Sequence, residues 1–145
     1  MPTVVIVEDD FLIAAAYRTM AEEVGIKVLD VCDTAAAGIA AIAAHQPTFA
    51  VLDLNLAGGA DGVHVAAAVR QNEIATKIIF ATGSATPDTL RRLDAVGAFN
   101  VLIKPIDPKD FIAALDSDAP SHAGSNSPPG PQDKAYIAQM ARRTD

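Results

Sequence analysis

The sequence is poor in cysteine and in aromatic residues, with one cysteine, no tryptophan and 5% aromatic residues among 145. A single cysteine, Cys32, excludes an intramolecular disulfide, and its place in the apolar run 28–32 predicts a small buried core residue. No apolar run is long enough to cross a bilayer, and the N-terminus lacks the basic-then-apolar layout of a signal peptide. We therefore expect a cytoplasmic protein with an aliphatic core and no membrane insertion.

Positive charge is also scarce, because 11 Lys and Arg residues face 18 Asp and Glu residues, for a net charge of −7. The basic patch that nucleic-acid binding requires is absent, so we expect no direct contact with DNA or RNA. The excess of acid fits a cation site and equally fits an ordinary soluble surface. Charge alone thus excludes one class of partner without naming another.

The sequence does contain a regular alternation of apolar runs and helical patterns. Strands are predicted at residues 3–7, 26–32, 48–53, 77–82 and 98–103. Helices are predicted at residues 11–24, from 33 or 34 to about 46, from 61 through 69, from 86 to 97, and from 107 or 108 through 115. This strict alternation implies βαβ units with right-handed crossovers. We expect an α/β fold with a doubly wound five-stranded parallel sheet between two helical layers.

The first predicted helix has apolar residues whose spacing indicates a buried face. That face contains Leu12, Ala15, Ala16, Thr19, Met20 and Val24. Gly25 is expected to end the helix, because glycine readily takes the positive φ found after a helix C-terminus.

The composition changes at residue 117, which marks a domain boundary. Residues 1–116 carry the alternating pattern, and residues 117–132 are rich in Ser, Pro, Gly, Asn and Ala. We expect residues 117–145 to be a flexible tail, with a possible short helix at residues 134–143. No output domain is expected after residue 116.

Acidic, hydroxyl and ammonium side chains follow four of the predicted strands. Glu8 and Asp9 follow the first strand, Asp53 ends the third, Thr82 ends the fourth and Lys104 follows the fifth. The carboxyl ends of parallel strands share one edge of the sheet, so these groups are expected to converge. Three close carboxylates would repel one another, and a hard divalent cation such as Mg²⁺ would relieve that repulsion.

In this order and on these strands, Glu8-Asp9, Asp53, Thr82 and Lys104 resemble the receiver domain of two-component response regulators. The resemblance extends over residues 2 to about 116 and implies the flavodoxin-like (βα)5 fold, a three-layer α/β/α arrangement. It also implies that the protein works by accepting a phosphoryl group.

The resemblance implies a metal site of four residues. Asp9 would bind Mg²⁺ directly, and Glu8 would do so mainly through water. Asp53 and the backbone carbonyl of Asn55 would complete the protein ligands. Mn²⁺ would also fit such a site.

The resemblance likewise assigns the phosphoryl chemistry. Asp53 would be the phospho-acceptor, and Thr82 would hydrogen-bond a phosphoryl oxygen in the active state. Lys104 would pair with the phosphoryl group or, before modification, with Asp53. The bond before Pro105 is expected to be cis.

Two regions depart from the usual pattern of that family. The loop at residues 54–62 lacks the usual proline and contains Gly58-Gly59, which predicts a more mobile loop. Val101 stands at the switch position, which is usually aromatic. Phe99 lies two residues earlier and is expected on the same face of the strand.

The fourth strand carries a further partial resemblance. The run Phe80-Ala81-Thr82-Gly83 resembles the start of the motif that names the FATGUY class of single-domain response regulators. Ser84 and Ala85 then replace the hydrophobic residue and the tyrosine of that motif. Asn55 and Ser84 occupy the positions that tune hydrolysis of the acyl phosphate, and together they indicate neither fast nor slow hydrolysis.

The resemblance implies a regulatory protein rather than an enzyme, one that assists its own phosphorylation and dephosphorylation. Its expected partners are a sensor histidine kinase or phosphotransfer protein, and a downstream protein that binds the face made by the fourth helix, the fifth strand and the fifth helix. A monomer or a weak homodimer is expected.

Rival hypotheses come from other functional classes. A receiver-like binding module that ignores phosphorylation is favoured by Val101 and by the altered loop. A flavin or nucleotide carrier would need a phosphate-binding loop after the first strand, where Glu8-Asp9 would repel phosphate. A hydrolase with Asp53 as nucleophile would need a water-activating base and a substrate cap, and the sequence indicates neither.

Overall fold

The computed structural model describes residues 2–56 and 61–116. The elements in chain order are β1 (Thr3–Val7), α1 (Phe11–Glu23), β2 (Lys27–Cys32), α2 (Ala35–His45), β3 (Phe49–Asp53), α3 (Gly62–Gln71), β4 (Lys77–Thr82), α4 (Pro87–Ala95), β5 (Ala98–Ile103) and α5 (Pro108–Ala114). The strands form one parallel sheet in the order β2-β1-β3-β4-β5. The predicted fold is therefore confirmed. The predicted tail and its possible helix lie outside the described residues.

β1 and β3 are interior strands of the sheet, and they are apolar on both faces. Every residue of β3 is buried, and the four residues Val4, Val5, Ile6 and Val7 of β1 are completely inaccessible to solvent. The edge strand β2 has several exposed or half-buried positions instead. Burial of one large aliphatic side chain contributes about 1.5–3 kcal/mol. The centre of the sheet is thus the most strongly held part of the fold, and Glu8 and Asp53 lie at its carboxyl end.

The helices form two layers, one on each face of the sheet. α1 and α5 form the α1–α5 layer, in which the rings of Tyr17 and Phe111 stack with centroids 5.1 Å apart. α2, α3 and α4 form the α2–α3–α4 layer, in which Leu90 and Leu93 are fully buried. Over the described ranges, no helix combines the length and the apolar character needed to cross a membrane.

The buried face of α1 differs from the predicted one. The structure buries Ala14, Tyr17 and Ala21, whereas Leu12 is 73% exposed and Val24 is 43% exposed. The other predicted members are exposed or only half-buried: Ala15, Ala16, Thr19 and Met20. The prediction was wrong because α1 is apolar around most of its circumference, so spacing did not define one face. The stacking partner in α5 selects the buried side.

β5 contains an irregularity that reverses the predicted side of Phe99. Its pairing with β4 passes from Ala98 to Asn100 and skips Phe99. One extra residue in a strand breaks the alternation of faces. Val101 accordingly packs in the core under the α2–α3–α4 layer, while Phe99 packs under the α1–α5 layer. The prediction that these two residues share a face is therefore wrong.

Each helix starts at a polar residue on the edge where the strands end. These N-caps are Asp10, Thr34, Asp61, Thr86 and Asp107, and each accepts a hydrogen bond from the first turn of its helix. Such caps stabilise a helix by about 1 kcal/mol each. They fix where each helix begins and so shape the edge that carries the acidic residues.

Gly62 packs directly behind the carboxyl end of β3. A Cβ atom on Gly62 would lie 2.5 Å from the carbonyl oxygen of Asp53 and 3.3 Å from the ring of Phe80. The Gly62 N–H also donates a 3.0 Å hydrogen bond to the carbonyl of Leu54. Only a residue without a side chain permits this approach, so Gly62 holds α3 close to Asp53.

Replacing Gly62 with alanine should therefore lower the free energy of unfolding by about 1–3 kcal/mol, the usual range for overpacking a tight site. Gly83→Ala is the matched control, since a Cβ there meets nothing within 4 Å. Chemical denaturation of both variants measures the difference. Equal stability of the two variants would contradict the close packing of α3 against β3.

Candidate functional site

Three charged side chains meet at the centre of the strand-end edge. The Lys104 Nζ atom lies 3.0 Å from Oε1 of Glu8 and 3.1 Å from Oδ1 of Asp53. Glu8 and Asp53 are only 2% and 4% exposed. The bond between Lys104 and Pro105 is cis, as expected. One cation thus faces two buried carboxylates, one directly after β1 and one at the end of β3.

A third carboxylate, that of Asp9, completes an acidic cluster. Each of Glu8, Asp9 and Asp53 offers an oxygen atom that lies within 4.8 Å of the others. Asp9 is exposed, so the cluster opens to solvent on its side. Carboxylate oxygens in this arrangement are the donors that Mg²⁺ and Mn²⁺ accept. The cluster could therefore hold a divalent cation.

Burial and neighbouring charges shift the pKa values of Glu8 and Lys104 in this cluster. Burial is the main cause that raises the pKa of Glu8 to about 7, and the neighbouring Asp53 carboxylate adds to the effect. Burial works against the charged form of Lys104, but its ion pairs with Glu8 and Asp53 outweigh burial and raise its pKa. Lys104 therefore stays charged, and Glu8 is partly protonated near neutral pH unless another cation arrives.

Backbone N–H groups hold both buried carboxylates in place. The Asn55 N–H donates to Oδ1 of Asp53 at 3.2 Å, and the Asp10 N–H donates to Oε2 of Glu8 at 3.1 Å. The same Asp53 oxygen also contacts Lys104. Oδ1 of Asp53 is thereby fixed between the Asn55 N–H and the Lys104 ammonium.

Thr82 is placed at the edge but is engaged elsewhere. Its hydroxyl accepts from the Ser84 N–H at 3.0 Å and lies 3.2 Å from the Ser84 carbonyl oxygen. Thr82 is buried, whereas Ser84 is exposed. Val101, which stands at the predicted switch position, is fully buried beside Phe80 on β4. The structure thus brings Glu8, Asp9, Asp53 and Lys104 together, and directs the Thr82 hydroxyl to the β4–α4 loop.

Sequence reasoning missed one contact at this edge. Arg92 of α4 lies 3.0 Å from Oδ2 of Asp61, the residue that caps α3. The two residues are 31 positions apart and carry no shared motif, so no local signal predicts the pair. It links the start of α3 to the α4 surface.

Comparison with known proteins identifies the class to which this fold and site belong. The family model of the response regulator receiver domain matches residues 4–116. The chain therefore belongs to the response regulator receiver domain family, whose members are regulatory parts of two-component systems. The class predicted from the sequence is confirmed.

Named relatives agree with this assignment. The chain is 34% identical over 131 residues to the photosynthetic apparatus regulatory protein RegA of Rhodovulum sulfidophilum, covering 90% of this chain and 68% of RegA. It is 33% identical over 113 residues to the acid tolerance regulatory protein ActR of Rhizobium meliloti, covering 78% of this chain and 57% of ActR. This chain therefore corresponds to only part of each relative.

Solved structures give the same answer. The signal receiver domain of the response regulator NarL from Mycobacterium tuberculosis aligns with a TM-score of 0.75 and 29% identity, covering 79% of this chain and 92% of that one. The signal receiver domain of a modulated diguanylate cyclase from Desulfovibrio desulfuricans G20 aligns with a TM-score of 0.71 and 33% identity, covering 79% and 90%.

Glu8 should make the metal-free protein less stable as the pH rises. Its pKa is about 7 in the fold against an ordinary value of 4.5, so between those values the folded state binds more protons than the unfolded state. The free energy of unfolding should fall across that window by roughly 1–3 kcal/mol from this group. Urea unfolding at pH 5 and pH 8, with a chelator present, measures the change.

Glu8→Gln keeps the size of the side chain and cannot titrate, so it should remove this part of the pH dependence. Glu23→Gln, at an exposed position on α1, is the matched control and should leave it unchanged. If the free energy of unfolding changes with pH in the same way for wild type and Glu8→Gln, Glu8 does not titrate in this range.

Proposed function

We propose that Asp53 accepts a phosphoryl group from the phosphohistidine of a sensor histidine kinase or phosphotransfer protein, in a reaction that depends on Mg²⁺. The observation that carries the proposal is the placement of the Asp53 carboxylate 3.1 Å from the Lys104 ammonium and beside two further carboxylates. Nucleophile, cation and metal ligands then stand at one edge, as in-line phosphoryl transfer requires.

The transfer forms one bond and breaks one. A carboxylate oxygen of Asp53 attacks phosphorus, and the phosphorus–nitrogen bond to the donor histidine breaks, so that an acyl phosphate remains on Asp53. Lys104 neutralises charge on the phosphoryl oxygens. The backbone N–H of Asn55 holds the nucleophile in orientation.

The acidic cluster fits a metal because three carboxylates, those of Glu8, Asp9 and Asp53, lie close together and share a single ammonium, that of Lys104. Asp9, Glu8, Asp53 and the carbonyl of Asn55 would hold the cation. A bound Mg²⁺ supplies positive charge at the phosphoryl oxygens during transfer. The protein's own contribution is to keep these ligands in place before the donor arrives.

We further propose that the phosphorylated state is recognised through the α4–β5–α5 face by a downstream protein, with the chain a monomer or weak homodimer. Support comes from the connection between Thr82 and α4. The Thr82 hydroxyl bonds the backbone of Ser84, and the helix begins two residues later at its cap, Thr86. A phosphoryl oxygen that attracts the Thr82 hydroxyl would pull on this short loop.

A small-molecule phosphodonor with Mg²⁺ should add one phosphoryl group to the protein, and Asp53→Asn should abolish the addition. Asp33→Asn removes an exposed carboxylate at the same edge and should be labelled like wild type. Intact-protein mass spectrometry measures the addition. Labelling of Asp53→Asn at the wild-type level would refute the assignment. Partner binding that ignores the phosphodonor would instead favour a phosphorylation-independent binding module.

Chelation of divalent cations should stop this labelling, and added Mg²⁺ or Mn²⁺ should restore it. Asp9→Asn should raise the Mg²⁺ concentration needed for half-maximal labelling by about tenfold or more, since loss of a ligand costs at least as much as loss of an outer partner. Asp10→Asn is the matched control, because Asp10 caps α1 and is no member of the cluster. An equal requirement in the two variants would remove Asp9 from the metal site.

A further inference from the structure

The exposed hydrophobic side chains of the described residues are gathered in one helical layer. Phe11 is 80% exposed, Leu12 73%, Val24 43% and Ile112 36%, and they are the large apolar side chains most open to solvent in the described ranges. Phe11 and Leu12 begin α1, Val24 is its C-cap residue, and Ile112 lies on α5. The α2–α3–α4 layer has no counterpart among them. Apolar side chains on the outer surface of the α1–α5 layer are therefore exposed to solvent in the described residues.

A groove of about 500 Å³ runs along this surface between α1 and the connection from β5 to α5. Its walls are the α1 side chains Leu12, Ile13, Ala16, Tyr17 and Met20, together with Lys104, Pro105 and Ile106. All but one of these are apolar or aromatic. Leu12, Ala16 and Met20 belong to the face that apolar spacing marks for burial, yet the folded domain leaves this face to solvent.

Three exposed acidic residues lie close in the sequence to residues of the groove wall, and we call them the acidic rim. Asp10 precedes α1, Asp107 follows Ile106, and both are exposed, as is Asp9. The one ammonium in the wall, that of Lys104, is already within 3.1 Å of two carboxylates. An occupant that combines apolar side chains with positive charge would therefore match the groove.

One segment of this chain has that chemistry. Residues 134–143 contain Tyr136, Ile137 and Met140, and they hold every Lys and Arg residue that follows position 116 and no acidic residue. Tyr136 and Met140 are four positions apart, so in a helix they would share one face. The segment lies outside the described residues.

We propose that residues 134–143 dock in the groove between α1 and the β5–α5 connection, with Tyr136 and Met140 against Leu12 and Ala16. The basic residues of the segment then face the acidic rim. The interaction is within one chain.

Residues 117–133, which connect the described chain to the segment, are long enough to let it reach the groove. Asp116 lines a separate cavity with Pro2 and Val24, so the described chain ends at the edge of the sheet opposite the site. α1 has 13 residues and is about 20 Å long. The residues from 117 to 133 span at most about 60 Å when fully extended. Tethering at such lengths gives an effective concentration on the order of millimolar, so a weak apolar contact is enough.

Tethering also favours this occupant over a second copy of the protein. Two copies would bring two net negative charges of −7 together, and their acidic rims would face the same apolar groove. The basic segment meets the rim with the opposite sign of charge. A second copy is therefore an outcome for the experiment to detect.

Backbone amide NMR of the full chain tests the proposal. The double variant Tyr136→Asp, Met140→Asp should shift the amide signals of Leu12, Ala16 and Ile106 and leave those of β2 unchanged. The matched control Ser125→Asp, Ser127→Asp adds the same charge outside the segment and should shift none of them. Unmoved groove signals in the first variant would overturn the proposal.

The reciprocal change checks the same contact from the other side. Leu12→Asp replaces an exposed side chain, so the fold should persist, and the amide signals of residues 134–143 should move toward those of an isolated chain. Raised salt should have a similar but smaller effect, since it screens the basic residues from the rim. Groove shifts that depend on protein concentration would assign the groove to a second copy and overturn docking within the chain.

Discussion

Two buried carboxylates held against one ammonium are the interaction on which this structure depends. Glu8 and Asp53 are almost completely removed from water, and Lys104 contacts both. Removing a charge from water costs several kcal/mol, and the loss is recovered only where partners are placed well. The fold supplies that placement by putting β1 and β3 side by side and the end of β5 across from them. The need to bring these three side chains together therefore constrains the order of the strands in the sheet, as well as the residues at the strand ends.

The cohesion of the central strands is what allows such a site. Aliphatic residues of β1 and β3 are buried on both faces, so the backbone that carries Glu8 and Asp53 cannot easily relax away from the repulsion between them. Gly62 closes the remaining space behind Asp53. The raised pKa of Glu8 follows mainly from its burial at the end of this core, and the nearby Asp53 carboxylate adds to it.

Much of this could be predicted from the sequence, because the signals are local. Strand runs, helix caps such as Thr86 with Pro87, and polar residues at strand ends are each visible within a few positions. The failures concern information carried by distant partners. The buried side of α1 is selected by the stacking of Tyr17 on Phe111 of α5, and the skipped pairing at Phe99 depends on how β5 meets β4. Neither is encoded in spacing along one element.

The contacts from the site edge to α4 are weak compared with those that hold α4 in the core. Arg92 and Asp61 form a pair in which Arg92 is 55% exposed, and pairs of this kind contribute about 0–1 kcal/mol. Leu90 and Leu93 are fully buried and anchor the helix far more firmly. A group bound at Asp53 can change the equilibrium between two positions of the β4–α4 loop, and with it the position of α4. It can do so only to the extent that its binding free energy differs between those two positions. If Asp53 is phosphorylated as proposed, that difference would come from the Thr82 hydroxyl exchanging its contacts with Ser84 for a phosphoryl oxygen.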